Sequence, residues 1–213
     1  MDLAENAERY LRSYCDPTSR YAWPAYDLDA NPGRLVPTDL LSPALLSYPI
    51  RGKYLQQMLQ EPAPGEGRNP YAELVHRLQV AATDAAARHL AFHEIDPDRL
   101  NDRSLAGWGL VLVAVDATRH CSGLSSVAVT KILHRKLPDL VPIRDSRLER
   151  FYGATGPTDL FGRIHRDLHR HGDLLDLLRA PYRLPDGRQQ SRLRALDIVF
   201  WMSFEPADAW ERR

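Results

Sequence analysis

Apolar and polar positions alternate along this chain with a helical rather than a strand period. Leu3, Ala7, Tyr10, Leu11 and Tyr14 recur at helical spacing and predict a helix over 2–14. A long irregular stretch follows from Asp16 to Pro37, dense in Pro, Asp, Tyr and Gly. Thr38 or Ser42 suits the cap of the next element, whose apolar stripe is Leu40, Leu41, Leu45 and Leu46. Arg51 to Gln60 reads as a helix, and Glu61 to Asn69 is the clearest loop in the chain. Residues 71–93 again carry a helical period. Residues 104–119 contain the run Val-Leu-Val-Ala-Val, which alone would suit a strand. The absence of a breaker over about sixteen positions favours a buried helix. Residues 126–137 are helical and Pro138 stops them. Helices over 146–152, 158–179 and 191–203 complete the pattern. There is no internal repeat and no βαβ alternation, so a mainly α fold is predicted.

Composition adds bounds. A chain of 213 residues suits one helical domain spanning 1–213, with 61–69 as the place where two lobes would divide. Twenty-eight Lys/Arg against 28 Asp/Glu give a formal net charge of +0, which excludes a histone-like cationic coat but not a local basic patch. Two cysteines, Cys15 and Cys121, make neither a disulfide framework nor a four-cysteine zinc site. The opening residues lack a basic-then-apolar leader, and the apolar run Gly107 to Val115 is too short for a membrane span. The expectation is a soluble, cytoplasmic protein. No P-loop, dinucleotide-binding glycine fingerprint or nucleophile-elbow serine is present, so no cofactor is expected.

The chemistry concentrates between Ser122 and Arg150. The pattern reads helix, tight turn Ser122-Gly123-Leu124-Ser125, helix, proline-bounded loop, then Asp145. On a helical wheel Ala128, Val129, Ile132, Leu133 and Leu137 form one arc, and Thr130, Lys131, His134 and Arg135 the opposite one. The free N–H groups at the start of this helix, next to Gly123, Ser125 and Ser126, suit a phosphate. From 127 to 150 there are six Lys/Arg against three Asp/Glu, a basic stretch inside a neutral protein. Lys131, Arg135, Lys136, Arg144 and Arg147 are therefore candidate phosphate contacts, weighed against an ordinary solvated face.

This segment resembles the helix-hairpin-helix of the DNA glycosylase superfamily. Ser122-Gly123-Leu124-Ser125 stands for the hairpin, and Val141-Pro142-Ile143-Arg144-Asp145 for the loop that carries the family's aspartate. The resemblance implies a helix-hairpin-helix, DNA glycosylase-like bundle with the hairpin at about 105–137, and DNA as partner. It also implies Asp145 as the residue that stabilises the sugar cation or activates water. The departures are Ser122 and Ser125 in place of the hairpin's proline and second glycine, and Val127 where lyase-competent members carry a Schiff-base lysine. Covalent lysine chemistry is thereby unsupported. An enzyme of this kind would be a monofunctional hydrolase, with Lys131, one turn on, as an auxiliary candidate. Over its whole length the chain also resembles a domain-of-unknown-function family of actinobacterial proteins (DUF6308-like). The matching pieces are Tyr14 to Pro17, Tyr26-Asp27, Asp39 to Leu46, Pro138 to Asp145, and Ser191 to Asp197 with Trp201.

The remaining candidates carry a bland reading beside the functional one. Tyr21, Trp23 and Tyr26 with Asp27 form an aromatic loop able to stack on a base or planar ligand, or to lie over the core. Asp145 is equally suited to cap the helix that follows. His165 and His169 stand at i, i+4 spacing, but no HExxH arrangement is present, and a surface face is expected with no metal. Asp197, on an apolar helix, needs a partner if buried, and Arg194 at i−3 supplies one. Trp108 and Trp201 read as core. The alternative to DNA is a small-molecule, biosynthetic enzyme that reuses the fold, lined by Asp145 and the Tyr21–Asp27 loop. A third reading is a non-catalytic binding module.

Overall fold

Asn69, Ser125, Asp145 and Ser191 each accept a hydrogen bond from backbone N–H groups one turn on, and each opens a helix. The computed structural model describes residues 3–19, 21, 23–28, 33–61, 67 and 69–205. Of the expected loop Glu61 to Asn69, residues 62–66 and 68 lie outside these. Among the described residues the protein is helical, and its one strand-like feature is an isolated bridge between Arg183 and Gln189. No helix among them is long and apolar enough to cross a membrane.

The chain folds as two units that divide after Leu28 and after Ile143 rather than near 61–69. The helices that precede and follow residues 61–69 in the chain pack on each other within one unit, so no boundary falls there.

The unit of residues 1–28 and 144–213 holds α1 (Leu3–Tyr14), α7 (Ser146–Tyr152), α8 (Pro157–Arg179) and α9 (Arg192–Ser203). Here α9 packs on α1, α7 and α8. It is apolar on nearly every side, with Leu193, Ala195, Leu196, Ile198, Val199, Phe200 and Met202 all buried. A helix apolar all round belongs at the centre of a bundle.

The unit of residues 29–143 holds α2 (Ser42–Leu45), α3 (Gly52–Leu59), α4 (Pro70–Arg88), α5 (Trp108–Ala117) and α6 (Ser126–Lys136). A 3₁₀ turn, Pro37–Leu41, leads into α2. The stretch with the Val-Leu-Val-Ala-Val run is the helix α5. Trp108 opens it, fully buried, and its indole N–H donates to the Leu100 carbonyl at 2.8 Å. Three expectations are corrected. Neither Thr38 nor Ser42 is a cap: Thr38 lies inside the 3₁₀ turn, and Ser42 is the first residue of α2, behind Leu41. Residues 71–93 are not one helix: α4 stops at Arg88, His89 takes a left-handed conformation (φ 50°), and Phe92 N–H pairs with the Asp139 carbonyl instead of continuing the helix. In the expected stripe at 40–46, Leu40 is buried but Leu41 and Leu45 are exposed.

Candidate functional site

The turn Ser122-Gly123-Leu124-Ser125 joins α5, through a 3₁₀ turn at Thr118–His120, to α6. Gly123 has φ 76°, the left-handed region that favours glycine. A Cβ there would lie 2.0 Å from the Tyr54 hydroxyl, so the tyrosine of α3 sits directly on the turn. Tyr71 of α4 stacks on Tyr54 and donates its hydroxyl to the Ser122 carbonyl at 2.8 Å. The Tyr48 hydroxyl lies 2.7 Å from Ser125 Oγ, which itself caps α6 by accepting from Val127 N–H. Three tyrosines thus brace the hairpin. Ser126, the first residue of α6, is buried.

The cations that follow are placed otherwise than the wheel predicts. Thr130, Lys131, His134 and Lys136 are all buried. Lys131 Nζ donates to the Leu46 carbonyl at 2.8 Å and lies over the Tyr48 ring. Lys136 has a fully buried side chain whose Nζ is 2.7 Å from Asp39 Oδ2, and Arg135 Nε is 3.5 Å from Asp39 Oδ1. His134 Nδ1 lies 2.7 Å from the Val141 carbonyl. The physical reason is that the 3₁₀ turn and α2 cover the polar arc of α6 and bring a carboxylate with them. An arc rich in charge is solvated only when nothing lies over it, and the wheel cannot register a segment 90 residues away.

The other predicted residues fall in the unit of residues 1–28 and 144–213. Asp145 caps α7, its Oδ1 accepting from Arg147 N–H at 2.8 Å. It therefore belongs to a different unit from Lys131. Tyr26 is fully buried and Trp23 nearly so, whereas Tyr21 is half-buried, stacked on Tyr14 and edge-on to Trp201. Tyr26 and Trp23 are core residues rather than an open stacking wall. Trp201 is not core: it is half-buried, with the Arg147 guanidinium over its ring at 4.7 Å. Of the two histidines, His169 is exposed but His165 is buried, against the expected surface face. No group of three metal-ligating side chains occurs among the described residues.

Arg194 forms the centre of this unit's polar interior. It donates to Asp27 Oδ1 at 2.9 Å, to Asp197 Oδ2, and to the Tyr14 hydroxyl at 2.6 Å. Its charge also lies over the Tyr26 ring. Burial works against the guanidinium charge, but Asp27, Tyr14, Asp197 and Tyr26 outweigh it and hold its pKa well above the ordinary value. Burial likewise pushes the neighbouring Cys15 thiol up to about 12. The expected Arg194–Asp197 pair is present, joined by Asp27 from the aromatic loop.

One cavity in this unit has the makings of a ligand site. Its volume is about 220 Å³. From α8 it is lined by Asp167, His171, Leu174, Leu175 and Leu178, a stripe at helical spacing. The opposite walls are Ala7 of α1, Phe151 of α7, and Leu196, Val199 and Phe200 of α9. The polar corner is built by two elements. Tyr152, the last residue of α7, donates its hydroxyl to Asp167 Oδ2 at 2.7 Å. Burial first, and then the bond to the Asp167 carboxylate, raise the Tyr152 pKa far above its usual value, so it remains a donor. The polar side chains that line the cavity are Asp167 and His171. The sequence reading did not single out Asp167, His171 or Tyr152. The available signal was an acid and an imidazole continuing the leucine stripe of α8 toward its N-terminus.

No curated protein and no solved structure matches this chain. A family described as of unknown function, DUF6308, matches it over residues 7–204, from the second turn of α1 to just past α9, and the chain belongs to that family.

Proposed function

We propose that this protein binds a small, largely apolar ligand in the cavity between α1, α7, α8 and α9. In this reading the α5–turn–α6 element is a helix-hairpin-helix of the DNA glycosylase kind, kept as scaffold. The observation that carries the reading is the cavity of about 220 Å³ with leucine and phenylalanine walls and one acid at its corner. Apolar pockets with a few convergent polar groups are the usual form of small-molecule sites. An engineered apolar cavity of about 150 Å³ takes up benzene, so a single ring with a short chain is the size class here.

The DNA reading retains the turn at Gly123 but has lost the use of its cations. Lys131 and Lys136 are buried, and Lys136 and Arg135 face Asp39. A phosphate approaching α6 would have to compete with that carboxylate.

The test is ligand-observed NMR of the full chain against a set of one-ring compounds. Leu178→Trp, which adds bulk at a lining position that is only half-buried, serves as the control. Saturation transfer to a one-ring compound that disappears in the variant, with an unchanged unfolding midpoint, supports the reading. Transfer unaffected by the variant, or none at all, overturns it. Labelled duplex DNA titrated across a salt series is the competing arm. Binding that falls steeply with salt would return the function to nucleic acid.

A further inference from the structure

We infer that the cavity selects a protonated amine carried on a small apolar body, with Asp167 as the anchoring carboxylate. The inference rests on the pocket reading above and assigns its ligand class.

Apart from His171, the walls of the cavity offer a ligand no hydrogen bonds: eight of the ten lining residues are Ala, Leu, Val or Phe. Selection by polarity must come from the corner. An ionised carboxylate is an acceptor only, with sites on both oxygens. Tyr152 occupies Oδ2. It stays a donor because its pKa is raised, so it neither withdraws nor adds a second negative charge. The described structure gives Asp167 no ion pair. The cations of α8 closest to Asp167 along the helix do not pair with it among the described residues: Arg166 and Arg170 are exposed to solvent. Arg163, one turn before Asp167, pairs with Asp159 at 2.8 Å. Arg179 and Arg192 both pair with Asp176. The corner of an apolar cavity therefore presents a negative charge oriented by a phenol, and Oδ1 remains to accept from a ligand.

A charge-assisted hydrogen bond in such surroundings is roughly twice as strong as a neutral one. A neutral donor of the same shape would gain the apolar contacts and only the weaker bond. An anion would meet repulsion from Asp167, although His171 on the same wall gives it one favourable contact. The occupant matching these terms is a primary or secondary amine on a single ring or a branched alkyl group.

The test uses the full chain at neutral pH and three probes of one shape: phenethylamine, phenethyl alcohol and hydrocinnamate. Affinities are read by calorimetry or NMR titration. The expected order is amine first, tighter than the alcohol by about tenfold, with the carboxylate weakest. Asp167→Asn is expected to bring the amine down to the level of the alcohol and leave the alcohol unchanged. Tyr152→Phe removes the phenol's bond to Asp167 without changing the lining residues and is expected to preserve the preference for the amine. Equal affinity of amine and alcohol, with both abolished by Leu178→Trp, would overturn the amine assignment while leaving the pocket in place. Tightest binding of the carboxylate would overturn it in favour of an anion held by His171. If none of the three binds, the pocket reading itself fails and the amine assignment falls with it. Should Asp167→Asn not fold, the ranking of the three probes by the unaltered protein decides the matter.

Discussion

Each unit of this protein contains a charged hub, and the two hubs are mirror images in charge. In residues 29–143 a single carboxylate, Asp39, faces two cations, Lys136 and Arg135 of α6. In the other unit a single cation, Arg194 of α9, faces two carboxylates, Asp27 and Asp197. Both hubs tie an irregular segment to a core helix: the 3₁₀ turn at Pro37–Leu41 to α6, and the loop after α1 to α9. Coil segments lack a ladder of backbone hydrogen bonds, so side-chain charge fixes where they lie. The hubs differ in enclosure. Arg194 and both its acids are buried, whereas Arg135 keeps 18% of its side chain exposed. Water can answer for part of the first hub's charge but not for the second's. A basic run in the sequence can therefore be internal architecture, and the acid available to a ligand, Asp167, lies in a helix whose charges looked like ordinary surface.

The comparison can be broken most severely at Arg194. Arg194→Met keeps the volume but leaves Asp27 and Asp197 buried without their cation, and a loss of about 5 kcal/mol in unfolding free energy is expected. Denaturant titration with a second probe for two-state behaviour reads it. A loss below about 1 kcal/mol would show that this hub is solvated rather than sealed. Next is Asp39→Asn, which removes the charge facing Lys136 but keeps a hydrogen-bond acceptor. The expected loss is about 3 kcal/mol. A double-mutant cycle with Lys136→Met should recover most of it, because a buried ammonium and its partner are removed together. Full additivity in that cycle would dissolve the hub as a unit. Smallest is Arg135→Ala, where the longer distance and partial exposure limit the cost to about 1 kcal/mol. Equal costs for Asp39→Asn and Arg135→Ala would mean that Arg135, not Lys136, carries the interaction.

Much of the fold was legible along the chain because it rests on local chemistry. Seven residues from Ser146 to Tyr152 form α7 where the pattern ended, with Asp145 as its cap. The helix over 191–203 was legible too, apolar on most sides near its end, and Ser191 caps it. The turn at Gly123 was equally readable, since a left-handed residue between two helical periods calls for glycine. The site was far less legible. Lys131 and Arg135 lie on a helical face that periodicity marks as polar, and only packing shows that Leu46 and Asp39 meet them. Tyr21, Trp23 and Tyr26 form one aromatic cluster in the sequence, yet Tyr26 and Trp23 turn into the core while Tyr21 stays half-buried.

The sequence by itself determined the helical class, the Asp145 cap, the hairpin turn, the Arg194–Asp197 pair and the family. Each depends on residues within a turn or two of one another, or on the order of residues along the whole chain. Tertiary structure alone decided which charges face solvent, that Asp27 joins Arg194 from 167 residues away, and that Tyr152 meets Asp167 at the corner of an apolar cavity. Those outcomes depend on which helix lies over which face. That is set by the sum of many weak apolar contacts made at long range, and no single stretch of sequence records it.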